Sequence, residues 1–132
     1  MLIQRTIKLR LRPDAQQEAL LLQAGQAYTD SFNGVCAYAW DQKLFHGVEL
    51  HKATYHTHRA RYGLPSQLAV SARVKATEAL GSVKARQKKG KKVACPQSLH
   101  CPVRYDQRSY GLWFELREVS LLTLQGRIKL AF

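Results

Sequence analysis

The sequence predicts an α+β chain in which a small antiparallel sheet or β-barrel is interrupted by a three-helix insertion. Three observations lead there: residues 2 to 12 alternate apolar and polar, residues 13–92 carry helical spacing, and beyond Gly90 the period falls to two. A lone N-terminal strand leaves its backbone groups without partners, so it is expected to join the C-terminal strands. This divides the chain into a barrel of residues 1–12 and 93–132 and a helical insertion of residues 13–92. The last strand runs to Phe132 with no closing element, so the barrel is expected to be incomplete there and the chain reads as cut short.

Each element has its own signal. In the first strand Ile3, Ile7, Leu9 and Leu11 point one way and Gln4, Thr6, Lys8 and Arg10 the other, with Arg5 the one interruption. Pro13 stops it, and Asp14 with Gln17 three residues on is a capping-box pattern that starts a helix. Leu21, Ala24, Tyr28, Phe32, Val35 and Ala39 then recur at threes and fours, the apolar stripe of a long amphipathic helix that Gly25 and Gly34 weaken locally. After a break near Gly47, "VELHKATYHTHRARYG" predicts a shorter helix with Leu50 and Tyr55 inward and its His and Arg residues outward, ended by Gly63. A third helix follows Pro65, with Leu68, Ala72, Ala76, Ala79 and Val83 as a stripe of mostly small residues that allows close helix approach. Tyr110, Leu112, Phe114 and Leu116 alternate, then Val119, Leu121 and Thr123, then Ile128, Leu130 and Phe132, with Gln125–Gly126 as a turn: a β-meander.

Composition bounds the function. At 132 residues, 45% hydrophobic and 23% charged, the chain is expected to fold as about one domain. Twenty-one Lys and Arg against nine Asp and Glu give a net charge of +12, which points to a polyanionic partner, nucleic acid before membrane. No run approaches the roughly 18 apolar residues of a membrane span, and "MLIQRTIKLRLRP" lacks the apolar core of a signal peptide. A cytoplasmic protein is expected, nucleoid-associated when bound to DNA. Three cysteines in that setting are expected as free thiols.

Self-contained catalysis finds no support. Cys95, His100 and Cys101 with distant Cys36 lack the paired spacings of a structural zinc site, and His51, His56 and His58 lack the glutamate of a zinc-protease helix. Of the nine acids, Asp14 is a cap, Glu18 and Glu78 sit on helix surfaces and Asp106 marks a turn; none ends an apolar strand as a metal-binding aspartate does. No nucleophile elbow, phosphate-binding loop or dinucleotide fingerprint is present. No catalytic residue, metal site or cofactor is therefore assigned to this chain.

Nucleic-acid contact is the better-supported chemistry. His58, Arg59, Arg61, Arg73 and Lys75 lead into Lys84, Arg86, Lys88, Lys89, Lys91 and Lys92, with Tyr55 and Tyr62 interleaved. The cations suit phosphates and the rings suit bases. Lys8 and Arg10 add a basic face to the first strand, and Gln67 and Ser71 are candidates for reading base edges if the third helix enters a groove. The stretch from Lys84 to Asp106 reads as the end of that helix running into a phosphate-binding connection, with Pro96 and Pro102 marking the return to the barrel.

The segments "IKLRLRPDAQQEALL", "YTDSFNGVCAYAW", "LPSQLAVSARVKATEAL" and "PVRYDQRSYGLWFELREVSLLTLQGRIKLAF" resemble, in order and over essentially the whole chain, the N-terminal part of the TnpB or OrfB proteins of bacterial insertion sequences. That family was long regarded as transposases and is related to type V CRISPR effectors. The resemblance implies a wedge-type barrel interrupted by a recognition bundle that holds the scaffold of a structured guide RNA and reads a short motif in duplex DNA beside the target. By position it makes Gln67, Val70, Ser71 and Tyr55 candidates for that motif. The family cuts DNA with a RuvC-like domain that uses three acidic residues and divalent metal, and it carries a four-cysteine zinc ribbon; both lie outside the region matched. The resemblance thus implies the recognition half of an RNA-guided endonuclease. Its partners would be guide RNA, target-adjacent DNA and the missing catalytic half. The alternative, read from the unpaired sheet edge at Phe132, is a non-catalytic assembly or regulatory module that binds a separate catalytic subunit or a self-associating copy.

Overall fold

A computed structural model describes all 132 residues as three helices followed by a three-stranded antiparallel sheet, an α+β arrangement. Helix α1 spans Ala15–Gln42, α2 Gly47–Tyr62 and α3 Ser66–Lys88; strand β1 spans Tyr110–Trp113, β2 Glu118–Thr123 and β3 Gly126–Ala131. The predicted capping box opens α1: Gln17 N–H donates to Asp14 Oδ1 at 2.8 Å and Asp14 N–H to Gln17 Oε1 at 3.0 Å. Gly63, at φ 67°, takes the left-handed conformation that ends α2, a conformation in which a Cβ is costly.

The helical core forms where the stripes meet. Ala24, Tyr28, Phe32, Val35 and Ala39 of α1 are buried as expected, against Leu50 of α2 and Leu68, Ala69, Ala72, Ala76 and Leu80 of α3. Leu50, Leu68 and Leu80 are fully buried, each contributing about 1.5–3 kcal/mol by area. Tyr28 lies opposite Ser71, and Trp40 and Lys43 lie beside Gln87, so α1 and α3 run parallel with α2 antiparallel between their ends. Gly34 marks the α1–α2 crossing. A Cβ there would lie 2.7 Å from Tyr62 Oη and 3.1 Å from His58 Cε1, so the residue read as a weak point of α1 makes room for two side chains of α2.

After α3 the chain returns as an extended strap along α1 and α3. Asn33 brackets Ser98, donating to its carbonyl and accepting from its N–H, both at 2.8 Å. Cys101 N–H donates to Thr29 Oγ1 at 2.9 Å, and Arg104 N–H reaches Tyr28 Oη at 3.4 Å. Cys101 is buried in the helical core, with Cys95, Val103 and Tyr105 packed against it. Residues 93–105 therefore pack with the helices.

The strands pair β1–β2–β3, with Leu112, Val119 and Leu130 in one cross-strand row, and Gly111, Ser120 and Lys129 in the next. Val119 and Leu130 are buried apart from the helical cluster, whereas Leu122 and Leu124 pack against it. The predicted turn is present as a tight hairpin shifted by one residue: Leu124–Gln125 make the turn, and Gly126 opens β3 opposite Thr123, whose hydroxyl donates to Gly126 O at 2.7 Å. Phe114 and Leu116 do not continue β1 as predicted. They lie in a turn closed by Arg117 N–H to Phe114 O at 3.1 Å, with Arg117 at φ 50°. The turn sequence "FELR" contains none of the glycine, asparagine or proline that marks a turn.

The N-terminal strand is corrected more sharply. Residues 1 to 11 form no strand, and Ile3 and Ile7 are 67% and 56% exposed. Only Arg12 pairs with the sheet, by an antiparallel bridge to Ala131 in which its N–H donates to Ala131 O at 2.8 Å. The bridge does not extend into a ladder: of residues 1 to 12, Arg12 alone makes a backbone bond to β3, so the alternation of residues 2 to 11 is not matched by pairing. The sheet is accordingly three-stranded and open.

Candidate nucleic-acid interface

The basic residues of α3 divide by the helix turn on which they fall. Lys84, Arg86 and Lys88 occupy its last turns, Lys89 is the C-cap, and Lys91 and Lys92 follow Gly90; all six cations are exposed. No acid lies among residues 84–92. The two ion pairs of the chain lie elsewhere, Lys52 with Glu49 at 3.8 Å and Arg104 with Glu78 at 2.8 Å. Cations at a helix C-terminus complement the partial negative charge of its free carbonyls. That effect acts only over the last turn, so it does not account for Lys91 and Lys92. A cleft of about 380 Å³ between Trp40, Lys43, Phe45 and Gln87 adjoins this end.

Four other candidates have their polar groups engaged within the fold. Ser71 Oγ donates to Arg104 O at 2.6 Å and is hydrogen-bonded to Tyr28 Oη at 2.8 Å, so it ties α3 to α1 and to the strap. Lys75 Nζ donates to Pro102 O and stands 5.8 Å from the Tyr28 ring centroid. Arg73 turns toward α2, with Nη1 3.3 Å from Thr77 Oγ1 and the buried Nε without a partner; burial holds its guanidinium below the ordinary range. Arg59 Nε donates to Leu64 O at 3.3 Å, bracing the α2–α3 turn.

Of the α2 histidines expected to face outward, His56 is exposed but the other two are not. His51 and His58 are half-buried with Nδ1 unpartnered, and burial lowers the affinity of both imidazoles for a proton. His58 packs edge-on to Tyr62 against Gly34, while His51 stacks on Tyr55 with ring centroids 4.8 Å apart. Tyr55 is thus held between His51 and an edge contact with His56 at 5.0 Å, its ring half-buried. Arg61 is exposed and stands 5.5 Å over Tyr62. Gln67 and Val70 are half-buried on α3. Lys8 and Arg10 are exposed on the N-terminal arm.

The cations therefore form separate groups: the end of α3, the end of α2, and the arm. Because α2 runs antiparallel to α3, its basic C-terminus lies near the start of α3. Lys84–Lys92 lie at the other end, at roughly 1.5 Å per residue about 30 Å away. Sequence reasoning missed a further group on the sheet. Trp113 is 42% exposed with Lys129 Nζ 5.2 Å from its ring centroid, and Arg127, two residues before Lys129 on β3, donates to Arg108 O. An aromatic beside a strand cation two elements away is invisible until the strands are paired.

The three thiols are free, with Cys36 and Cys101 buried and Cys95 half-buried. Burial, with Cys95 and Cys101 nearby, pushes the Cys36 thiol up to about 12, and burial also raises Cys95. No three His, Cys, Asp or Glu side chains converge in a way that could hold a metal ion. No helix is long and apolar enough to cross a membrane. Comparison with family models, with curated proteins and with solved structures gives no match in any of the three.

Proposed function

We propose that this chain is a nucleic-acid-binding module equivalent to the recognition half of a TnpB-like, transposon-associated RNA-guided endonuclease. In this reading it holds the scaffold of a guide RNA and the duplex DNA beside the target, and cleavage belongs to residues outside it. The observation that carries the reading is the run of six exposed cations with no acid among them at the end of α3, in a chain of net charge +12 with two ion pairs. A solvated helix end needs no such excess; a phosphate surface does. The family resemblance supplies the kind of nucleic acid.

Salt dependence tests it. If six phosphates are neutralised, log K falls with log salt at a slope of about −5, roughly a thousand-fold between 50 and 200 mM. Replacing Lys84, Lys88, Lys91 and Lys92 by Gln is expected to flatten the slope by about 3 to 4. Affinity for a structured RNA that stays constant over that salt range refutes the reading.

One observation favours a second reading, a non-catalytic assembly module. Ile3 and Ile7 are exposed on an arm that pairs with the sheet only at Arg12, and a segment with alternating apolar residues and unpaired backbone can add to a strand of another chain. Sizing the pure protein with and without RNA separates the two: an oligomer that forms without RNA and dissociates on Ile3→Asp, Ile7→Asp substitution supports assembly.

A further inference from the structure

We propose that Trp113 is a stacking site for one unpaired nucleobase, which places a single-stranded stretch of nucleic acid on the sheet, apart from the basic end of α3; the proposal rests on the nucleic-acid reading above. The register builds the site. Gly111, Ser120 and Lys129 form one cross-strand row, and Trp113, Glu118, Ala131 and the bridged Arg12 form the next on the same face. The indole leans over Gly111, where a Cβ would lie 2.8 Å from its Cη2 and 3.2 Å from its Cζ3. Any residue larger than glycine at 111 would push the ring away from the strand, so Gly111 seats it.

Trp113 is thereby held against backbone while 42% of it stays in solvent, and the side chain standing over it is the exposed ammonium of Lys129, 5.2 Å from the ring centroid. A cation–π contact at an exposed site is weak beside base–aromatic stacking, so an arriving base displaces the ammonium, which is then free to meet the phosphate of the same nucleotide. Glu118 opposite Trp113 is the carboxylate on this face, so the site is not a purely cationic trap. Ring stacking, which any base can supply, carries the contact. β1 is an edge strand, so the ligand reaches the ring without crossing another element.

The experiment uses the full chain carrying Trp40→Phe, which leaves Trp113 as the one fluorescent indole. It is titrated at low salt with end-labelled oligouridylate, oligothymidylate and a blunt DNA duplex, reading label anisotropy for binding and indole emission for the site. Single strands are expected to quench Trp113 and the duplex to bind without quenching; the RNA and DNA arms show which strand is preferred. Trp113→Leu, checked for native circular dichroism, is expected to lose roughly 5- to 150-fold affinity for single strands and to keep its affinity for duplex. Gly111→Ala is expected to weaken quenching by displacing the ring. Single strands that bind with unchanged emission, or equal binding by Trp113→Leu, overturn the stacking site and leave the nucleic-acid reading standing. No binding of any strand overturns both.

Discussion

Replacing Ser71 by alanine separates its two roles, base reader or structural tie. Its hydroxyl donates to Arg104 O at 2.6 Å and is bonded at 2.8 Å to Tyr28 Oη, and Tyr28 is fully buried. Alanine removes both bonds and leaves the phenol with only the long contact from Arg104 N–H at 3.4 Å. An intramolecular hydrogen bond is worth about 1 kcal/mol net, and a buried group left unsatisfied costs about 1–3 kcal/mol. The Arg104 carbonyl lies in an exposed residue that water can reach, so most of the loss falls on Tyr28, giving about 2 kcal/mol. With a urea m-value of about 2 kcal/mol/M for a chain of this size, the midpoint should fall by roughly 1 M. Tyr28→Phe alone should cost about 1 kcal/mol, and Ser71→Ala in that background should cost about 1 kcal/mol less than in the wild type, since the shared bond is already gone. Urea unfolding followed by circular dichroism gives all four values. A Ser71→Ala midpoint equal to wild type, combined with altered discrimination among DNA sequences, refutes the structural assignment and returns Ser71 to base reading.

Two glycines of α1 should respond with opposite sign. A Cβ on Gly25 meets nothing within 4 Å, so Gly25→Ala gains helix propensity and should stabilise by about 1 kcal/mol. At Gly34 the Tyr62 and His58 side chains must give way, so Gly34→Ala should instead destabilise by about 1–2 kcal/mol, with partial recovery on adding Tyr62→Phe; equal midpoints for the two alanine variants would refute the close crossing. Acid should weaken the fold through α2. Burial, with Arg61 nearby, holds the His58 imidazole below its ordinary 6.5, and burial acts likewise on His51. The unfolded chain takes up these protons first, so their stabilisation is complete above pH 6.5 and is lost as pH falls from there through the folded-state values. Urea midpoints at pH 7.5 and 5.5 should differ more in wild type than in His58→Gln, and identical differences would remove His58 from the account.

Local signals were legible in the sequence by itself. The Asp14–Gln17 box, the apolar stripe from Ala24 to Ala39, the stop at Gly63 and the Thr123–Gly126 hairpin each depend on residues within a few positions of one another, and each stands where the spacing put it. The six cations from Lys84 to Lys92 were legible for the same reason, because charge can be counted before anything folds. Periodicity does not say whether a partner is in reach. Residues 2 to 11 alternate as a strand should, yet they form no strand and pairing stops at the single Arg12–Ala131 bridge. Tertiary structure alone decided that Ser71 and Lys75 hold down the strap, that His58 faces Gly34, and that Lys129 stands over Trp113, since each joins positions from 16 to 33 residues apart. Side chains look alike in sequence whether they face solvent or a carbonyl. What they face is fixed by how helices cross and strands register, and those depend on contacts across the whole chain.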